Sequence, residues 1–398
     1  MKILFVCQYY YPDTFNVTDV CEGLAACGHE ITVLAGLPNY PGGVVLDEYR
    51  KGKKRDEMVN GVRVLRTFEI GRGQGNARLA VNYYSFVMSS MLKVARIKED
   101  FDLVFVYQLS PVMMAQAAIK YQKKHKKPLF LYSLDLWPES LAAGNGGFLD
   151  KKSFLYKLFH KISGKIYRSA DKIAVSSQSF IPHLEREFGI NNIGYIPQFS
   201  GKSPAEAAER VNDSGICTLA FTGNIGKMQD IGTIIDAAKL LSHRNDFKIK
   251  IVGEGSALPE MKEKAKGVES VEFCGRVPAT EVPRILENVD ATLLTLTDNP
   301  TISLTLPAKV QTYMAAARPI IGGVMGEARQ VIEAAQCGIC CDPKRPDLLA
   351  AAIERFIETP ADERQKMGEN AYKYHKSHFI KDDIIDMFDK AIKDLAGC

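Results

Sequence analysis

A chain of 398 residues is too long for one hydrophobic core, so we expect two domains of roughly 200 residues each. Its 46% hydrophobic and 25% charged residues are ordinary for a globular protein and exclude a disordered or fibrous chain. The net charge of +4 hides an uneven distribution, because residues 50–172 carry 24 Lys and Arg against 10 Asp and Glu, and the rest is therefore about −10. Such a basic segment either attracts anionic membrane lipid or complements the acidic remainder of the chain across a cleft. Nucleic acid is not expected as a partner, since the sequence contains no recognisable nucleic-acid-binding motif.

Strands and helices alternate along the first half. The run KILFVC (2–7) is continuously apolar, as expected for a strand buried on both faces, and a helix with one apolar stripe follows and ends at Gly28. Further runs typical of buried strands occupy residues 30–36, 101–107, 128–133, 171–177 and 193–197. The apolar segment 79–92 contains Asn and Ser and is too short for a membrane span, and the first residues are too short an apolar run for a signal peptide.

The second half repeats this pattern after a polar segment. Residues 198–215, QFSGKSPAEAAERVNDSG, read as an interdomain linker, and strands are predicted at 217–223, 248–255, 270–275, 291–297, 319–323 and 338–341. Two successive series of this kind predict an α/β protein with two doubly wound, Rossmann-like parallel-sheet domains that face each other across a cleft. We assign residues 1–200 to the first domain and 201–375 to the second, and expect the last helix, about 376–398, to pack back on the first.

Glycine ends most of the predicted strands of the second half. In open parallel sheets ligands bind beyond these ends, and glycine there allows close approach of a ligand to the backbone. With Lys227, Arg276 and Lys309 nearby, the pattern favours a phosphorylated ligand such as a nucleotide, although each of the three side chains is also explained as an ordinary surface charge. No dinucleotide fingerprint, P-loop, hydrolase triad or metal-ligand spacing is present, so basic groups and helix dipoles would have to stabilise a leaving diphosphate.

Several motifs resemble a known family over nearly the whole chain. They are DLWPES (135–140), FTGNIGK (221–227), IVGEGS (251–256), VEFCGRVP (271–278), PAKVQTYMAAARPII (307–321) and MGENA (367–371). The chain thereby resembles the retaining glycosyltransferases of family 4, which have the GT-B fold, and within them the branch of L-fucosamine transferases of bacterial surface-polysaccharide synthesis. The resemblance implies a second domain that binds a nucleoside-diphosphate sugar, commonly UDP-linked, without a metal or other cofactor. It implies a first domain that binds the acceptor.

Several donor-binding positions of the family carry different residues in this sequence. The two basic residues that hold the diphosphate in the family fall on Asn224 and Gln229, so Lys227 is the expected substitute. The acidic pair of the family falls on Leu304 and Thr312, which leaves Thr312 to hold the ribose and Asp298 to replace the missing acid near the sugar. The resemblance further implies donor contacts by Gly223, Asn224, Gly253, Glu254, Gly255, Arg276, Val277, Pro307, Lys309, Gly326 and Glu327, with Gly223 and Asn224 beside Lys227 at the phosphates.

On the acceptor side a glycine pair of the family is replaced by Phe15 and Asn16. The histidine of its His-Asp step is Leu134 here, which leaves Asp135 as the expected polar group facing the donor sugar, with a helix N-cap as the alternative. Trp137 and Glu139 are expected to form the acceptor platform, although the single tryptophan suits a hydrophobic core equally well.

No carboxylate stands out as the nucleophile of a double displacement. The front-face route proposed for the family needs none, because the leaving phosphate accepts the acceptor's proton, and Lys227, Lys309 and Asp135 are then the expected catalytic residues. A UDP-sugar 2-epimerase and a non-enzymatic nucleotide-sugar-binding protein are the alternative functions.

Residues 151–170 form a basic amphipathic helix, which suits either an anionic bilayer or a core helix with a solvated outer face. Because acceptors in the related branch are lipid-linked, we expect a cytoplasmic protein peripherally attached to the inner face of the membrane.

Overall fold

The computed structural model describes residues 1–143, 149–200 and 215–397, so the predicted linker lies largely outside the described residues. The chain divides into two compact units. The first consists of Met1–Pro197 together with Asp382–Cys398, and the second of Gln198–Lys381.

The first unit is built on an eight-stranded sheet. Its strands are β1 (Lys2–Val6), β2 (Glu30–Ala35), β3 (Asp56–Val59), β4 (Val62–Arg66), β5 (Leu103–Gln108), β6 (Leu129–Ser133), β7 (Lys172–Val175) and β8 (Ile193–Tyr195). They are arranged in the order β3-β4-β2-β1-β5-β6-β7-β8, and every pair is parallel except β3 with β4. The central strands are fully buried, which explains their continuous apolar runs.

The edge hairpin of this sheet was not predicted. Its turn is Asn60-Gly61, and both residues have positive φ, 49° and 84°. An Asn-Gly pair is the usual sequence of a two-residue hairpin turn, because both residues tolerate the left-handed conformation. The strand Asp56–Val59 is short and polar, so its apolar content gave no indication of a strand.

The described helices of the first unit that precede the second unit along the chain are α1 (Val17–Ala26), α2 (Asn76–Arg96), α3 (Gln116–His125), α4 (Glu139–Ala143), α5 (Phe154–Tyr167) and α6 (Phe180–Phe188). Helix α2 packs against α3, and α5 packs against α6. None of the helices in the described part of the chain combines the length and the hydropathy needed to cross a bilayer.

The second unit contains a six-stranded, wholly parallel sheet in the order β11-β10-β9-β12-β13-β14. Its strands are β9 (Cys217–Thr222), β10 (Phe247–Val252), β11 (Val271–Gly275), β12 (Ala291–Thr295), β13 (Ile320–Gly323) and β14 (Gly338–Cys341). Its helices are α7 (Ile231–Leu240), α8 (Leu258–Lys264), α9 (Val282–Glu287), α10 (Ala308–Ala315), α11 (Gly326–Ala334), α12 (Pro346–Glu358) and α13 (Ala361–His378). The prediction of two Rossmann-like parallel-sheet domains is confirmed.

The last helix, α14 (Lys381–Ala396), packs on the sheet of the first unit. Phe388 is 1% exposed, and its ring centroid lies 4.8 Å from that of Tyr132 and 5.8 Å from that of Phe105. Nε2 of His29 and Oδ1 of Asp389 are 2.6 Å apart, which ties the helix to the start of β2.

Candidate functional site

Three glycine turns meet at the carboxyl end of the second sheet. The backbone N–H of Gly223 donates to the carbonyl of Val252 at 2.9 Å, and that of Gly253 donates to the carbonyl of Gly275 at 2.7 Å. Gly253 has a φ of +147°, and a Cβ there would overlap the carbonyl oxygen of Gly223, while a Cβ on Gly255 would overlap the backbone of Ile225. Contact between neighbouring turns therefore already requires glycine at 253 and 255, before any ligand is considered.

Lys309 lies at the first turn of α10 and reaches across to the end of β9. Its Nζ is 4.3 Å from the ring centroid of Phe221, and a Cβ on Gly223 would come within 2.6 Å of its Cε. The ammonium makes no hydrogen bond or ion pair with any described residue, and burial lowers its pKa to about 8. A half-buried cation without a counter-ion at a strand end is a suitable group to receive an anion.

Asn224 and Gln229 stand at the positions where the related family has basic residues, and they bind each other. Nδ2 of Asn224 donates to Oε1 of Gln229 at 3.2 Å, and the backbone N–H of Gly226 donates to the same oxygen at 3.2 Å. A neutral amide pair thus closes the turn. The side chain of Lys227 is exposed, and it is the charged group on this turn.

This turn is anchored to the next strand. The hydroxyl of Thr295 donates to the carbonyl of Gln229 at 2.6 Å, and the backbone N–H of Thr297 donates to the carbonyl of Met228 at 3.0 Å. The turn that carries Lys227 is consequently held against the end of β12.

Helix α10 is held against β9 by a buried tyrosine. The backbone N–H of Thr222 donates to the hydroxyl of Tyr313 at 3.0 Å, and burial raises the pKa of Tyr313 to about 12. One residue earlier, the half-buried Thr312 donates its hydroxyl proton to the carbonyl of Ala308 at 3.1 Å. Towards a ribose, Thr312 is left with its oxygen lone pairs and can act as an acceptor.

The other predicted donor residues lie at the same edge of the second sheet. Arg276 and Asp298 are exposed and follow β11 and β12. Glu254 is also exposed and lies between Gly253 and Gly255, whereas Val277 and Pro307 are half-buried. Gly326 has a φ of +63°, and a Cβ there would overlap the carbonyl of Ser303. Glu327, in the first turn of α11, is only 3% exposed, so it is part of the packed interior.

In the first unit, Asp135 follows β6 at the carboxyl end of the sheet. Burial raises the pKa of its carboxyl group, and hydrogen bonds from the hydroxyls of Ser110 and Ser140 oppose that effect. Part of the residue still reaches solvent, so it combines a partly desolvated carboxyl with a fixed orientation.

Trp137 and Glu139 do not form the open platform that the sequence predicted. They are 4% and 2% exposed, respectively. Oε1 of Glu139 lies 3.4 Å from Nε2 of His183 and accepts a hydrogen bond from the hydroxyl of Tyr156 at 3.3 Å. Asn16 is half-buried at the N-terminus of α1.

A buried polar network at the same edge of the first sheet was missed. Oε1 of Glu69 accepts hydrogen bonds from Nε2 of Gln8 at 2.7 Å and from Nδ2 of Asn82 at 2.5 Å. Burial raises the pKa of Glu69 to about 8 and that of Asp13 to about 6. Gln8 and Glu69 lie two and three residues after the ends of β1 and β4. A search for polar residues just beyond the carboxyl ends of the strands, as made in the second half, would have found Gln8, and Glu69 once β4 was known.

An aromatic cluster around Arg72 was also missed. The ring centroids of Tyr9 and Phe15 are 5.0 Å apart, and those of Phe15 and Tyr40 are 4.9 Å apart. Nη1 of Arg72 donates to the hydroxyl of Tyr9 at 3.4 Å, and the guanidinium lies 5.7 Å from the ring centroid of Tyr40. Aromatic faces beside a cation suit a sugar that carries a phosphate. Among the described residues there is no group of three or more His, Cys, Asp or Glu side chains that could hold a metal.

Two protein-family models match the chain. The model described as Glycosyl transferase 4-like domain matches residues 16–197, and the model described as Glycosyl transferases group 1 matches residues 206–374.

Individual proteins are similar to this chain at identities of 25% or less. Probable glycosyltransferase WbjE of Pseudomonas aeruginosa is 25% identical over 260 residues, which cover 62% of this chain and 64% of that relative. Putative colanic acid biosynthesis glycosyl transferase WcaI of Escherichia coli (strain K12) is 22% identical over 100% of both chains. The crystal structure of Anabaena Alr3699/HepE in complex with UDP superimposes with a TM-score of 0.70 at 14% identity, covering 99% of this chain and 100% of that one.

Proposed function

Because residues 16–197 belong to the Glycosyl transferase 4-like family and residues 206–374 to the Glycosyl transferases group 1 family, we propose that this chain transfers a sugar from a nucleoside-diphosphate donor to a glycan acceptor of bacterial surface-polysaccharide synthesis. The donor is of the UDP class, and the sugar is transferred with retention of its anomeric configuration. The colanic acid biosynthesis in the name of the Escherichia coli relative and the UDP in the Anabaena structure support the pathway and the nucleotide.

The observation that carries this proposal is the state of Lys309. Its ammonium has no counter-ion among the described residues, its pKa is lowered by burial, and Gly223 leaves the space that its side chain occupies. Binding of a diphosphate next to Lys309 would restore the full charge of the amine and offset the cost of its burial. Lys227 supplies a second, exposed cation on the adjoining turn.

The reaction proceeds on the front face of the sugar. The bond between the anomeric carbon and the diphosphate oxygen breaks while the acceptor oxygen forms the new bond from the same side. The acceptor's proton passes to the leaving diphosphate, whose developing charge is stabilised by Lys309 and Lys227. Asp135 orients the donor sugar, the Thr312 oxygen accepts a hydrogen bond from a ribose hydroxyl, and no metal takes part.

We further propose a lipid-linked acceptor, attachment to the inner face of the cytoplasmic membrane, and a place close to the L-fucosamine transferase branch. The excess of basic residues in 50–172 supports contact with anionic lipid. The exposed start of α5, where Phe154 is 82% exposed, also supports it.

The proposal is tested with a panel of UDP-sugars. Stabilisation against thermal unfolding by UDP and one UDP-sugar, in the presence of EDTA, is the expected first result. Transfer of that sugar to a lipid-linked glycan, with the linkage determined by NMR, should then give a product with the donor's anomeric configuration. Binding without turnover on every acceptor would favour a nucleotide-sugar-binding protein, and an inverted product would refute retention.

A further inference from the structure

An apolar groove lies between α2 and α5 in the first unit. Its volume is about 220 Å³, which is below the roughly 300–1,000 Å³ of pockets for whole small molecules, so it suits a segment of a longer ligand. The described residues that line it are Asn76, Leu79, Ala80, Tyr83, Tyr84, Val87, Pro111, Met113, Trp137, Leu141, Leu149, Leu155 and Phe159. Apart from Asn76, the tyrosine hydroxyls and the indole N–H of Trp137, these side chains offer no hydrogen-bonding group to a sugar.

Exposed apolar side chains continue outwards from this groove. Val81, Tyr84, Met88 and Leu92 form one stripe along α2, and they are 45%, 48%, 62% and 59% exposed. On α5, Phe154, Leu155 and Leu158 are 82%, 47% and 41% exposed. A concentration of this kind on one side of a folded domain marks a surface that meets an apolar partner.

Lysines on α5 and just before it indicate the charge of that partner. Four exposed lysines accompany the apolar side chains, at positions 151, 152, 157 and 161. An apolar surface bordered by cations complements a lipid with an anionic head group.

The groove also adjoins the candidate site of the first unit. Trp137 lines the groove and lies two residues after Asp135. Tyr83 lines it too, and burial raises the pKa of its hydroxyl, while the nearby charges of Arg72 and Asp135 lower and raise it, respectively. A molecule whose chain occupied the groove would therefore carry its head group towards a guanidinium and the proposed sugar-orienting acid.

We propose that the groove between α2 and α5 binds a hydrocarbon segment of the lipid-linked acceptor, with Arg72 on the phosphate that joins the lipid to the glycan. This inference rests on the proposed function, because that function supplies the acceptor. The protein would then bind the hydrocarbon chain of the acceptor directly, in addition to the role of that chain as a membrane anchor of the substrate.

The test uses the single tryptophan of the chain, Trp137, as a reporter in the groove. The full-length protein is titrated with farnesyl diphosphate below its micelle concentration, without any donor. We expect a saturable change in Trp137 fluorescence that inorganic diphosphate does not reproduce. Leu155→Gln should weaken farnesyl diphosphate about tenfold, since it replaces apolar contact in the groove by an amide. Ala80→Phe, which fills the groove without adding polarity, should weaken it as well.

Leu240→Gln is the matched control, because Leu240 is 53% exposed and lies on α7 of the second unit. This variant should bind farnesyl diphosphate as the wild type does. A fluorescence change that inorganic diphosphate reproduces would overturn the proposal, as would unaltered binding by both groove variants. Equal binding of a short-chain phosphatidylglycerol would overturn it too, because the groove would then be a site for bulk lipid. UDP binding is measured on the same samples by calorimetry, so failure of the lipid site and failure of the proposed donor site are distinguished.

Discussion

Gly223 and Lys309 are fitted to each other, since the side chain of Lys309 occupies the space in which a Cβ on residue 223 would lie, 2.6 Å from its Cε. The glycine that the sequence analysis attributed to the approach of a ligand therefore also makes room for the cation. A diphosphate bound at this turn would meet both the open backbone of Gly223 and the ammonium of Lys309.

Lys309→Met should reduce affinity for UDP at least tenfold, because a charge-assisted hydrogen bond contributes about 1.5–3 kcal/mol. Isothermal titration calorimetry at pH 7 measures the change. Lys248→Met is the control, since Lys248 is an exposed lysine of the same unit, on β10. Equal affinity of wild type and Lys309→Met would refute contact between Lys309 and the diphosphate.

The affinity for UDP should fall as the pH rises through about 8, where Lys309 of the free protein loses its proton. The folded pKa lies below the ordinary 10.5, so between about 8 and 10.5 the unfolded chain binds more protons, and this residue makes stability rise with pH. Lys309→Met should lack both effects. Urea unfolding at several pH values measures the second, and parallel pH profiles of the two proteins would contradict the assignment.

Thr312→Val should weaken UDP binding by up to about tenfold, because it removes one neutral hydrogen bond to the ribose. The substitution also removes the bond from Thr312 to Ala308, so the melting temperature of the free protein is recorded beside the affinity. Comparison of UDP with ribose-free methyl diphosphate separates the two effects. Loss of affinity for both ligands to the same extent would show that the effect does not pass through the ribose.

Glu69→Gln should change how the stability of the protein depends on pH. The pKa of buried Glu69 is raised from 4.5 to about 8, so between these values the unfolded chain has already released the proton that the folded chain keeps. Wild-type stability should therefore lose a few kcal/mol from this group as the pH rises from about 5 to 8, and Glu69→Gln should not show that loss. Chemical unfolding over this range measures it. Identical pH slopes would mean that Glu69 is ionised in the fold.

Phe388→Ala should destabilise the protein by about 3–5 kcal/mol, because it opens a cavity between α14 and the rings of Phe105 and Tyr132. Met387→Ala, one residue earlier and 39% exposed, is the control and should change stability much less. Hydrogen exchange measures where the loss occurs. Faster exchange is expected in β5 and β6, and an effect confined to the second unit would contradict the packing described.

Sequence reasoning located most strands of both sheets because a parallel strand buried on both faces is a continuous apolar run, as in β1 and β9. It did not locate β3, which is short and polar, or β4, its partner in the edge hairpin. Lys309 was identified from the glycine-ended strands near it and from the family resemblance. Burial lowers its pKa, and the packing that buries it includes Phe221, which is distant in the sequence, so no local pattern could reveal this state.

The same limit applies to the first unit. Glu69 is 61 residues from Gln8 along the chain, and only the sheet topology joins them. In helix α5 the periodicity of apolar residues did not predict which of them are buried, since its apolar stripe includes Phe154 at 82% exposure and Ile166 at 3%. A 3.6-residue period gives the direction of a side chain, and the neighbouring elements decide whether that direction meets protein or solvent.

The return of α14 to the first unit makes the second unit an insertion within it. Residues 198–381 are thus an uninterrupted segment of the chain, whereas a chain cut after residue 197 would expose the apolar surface that Phe388 covers. Dissection of this protein for separate study of its halves should follow that connectivity and not the midpoint of the sequence.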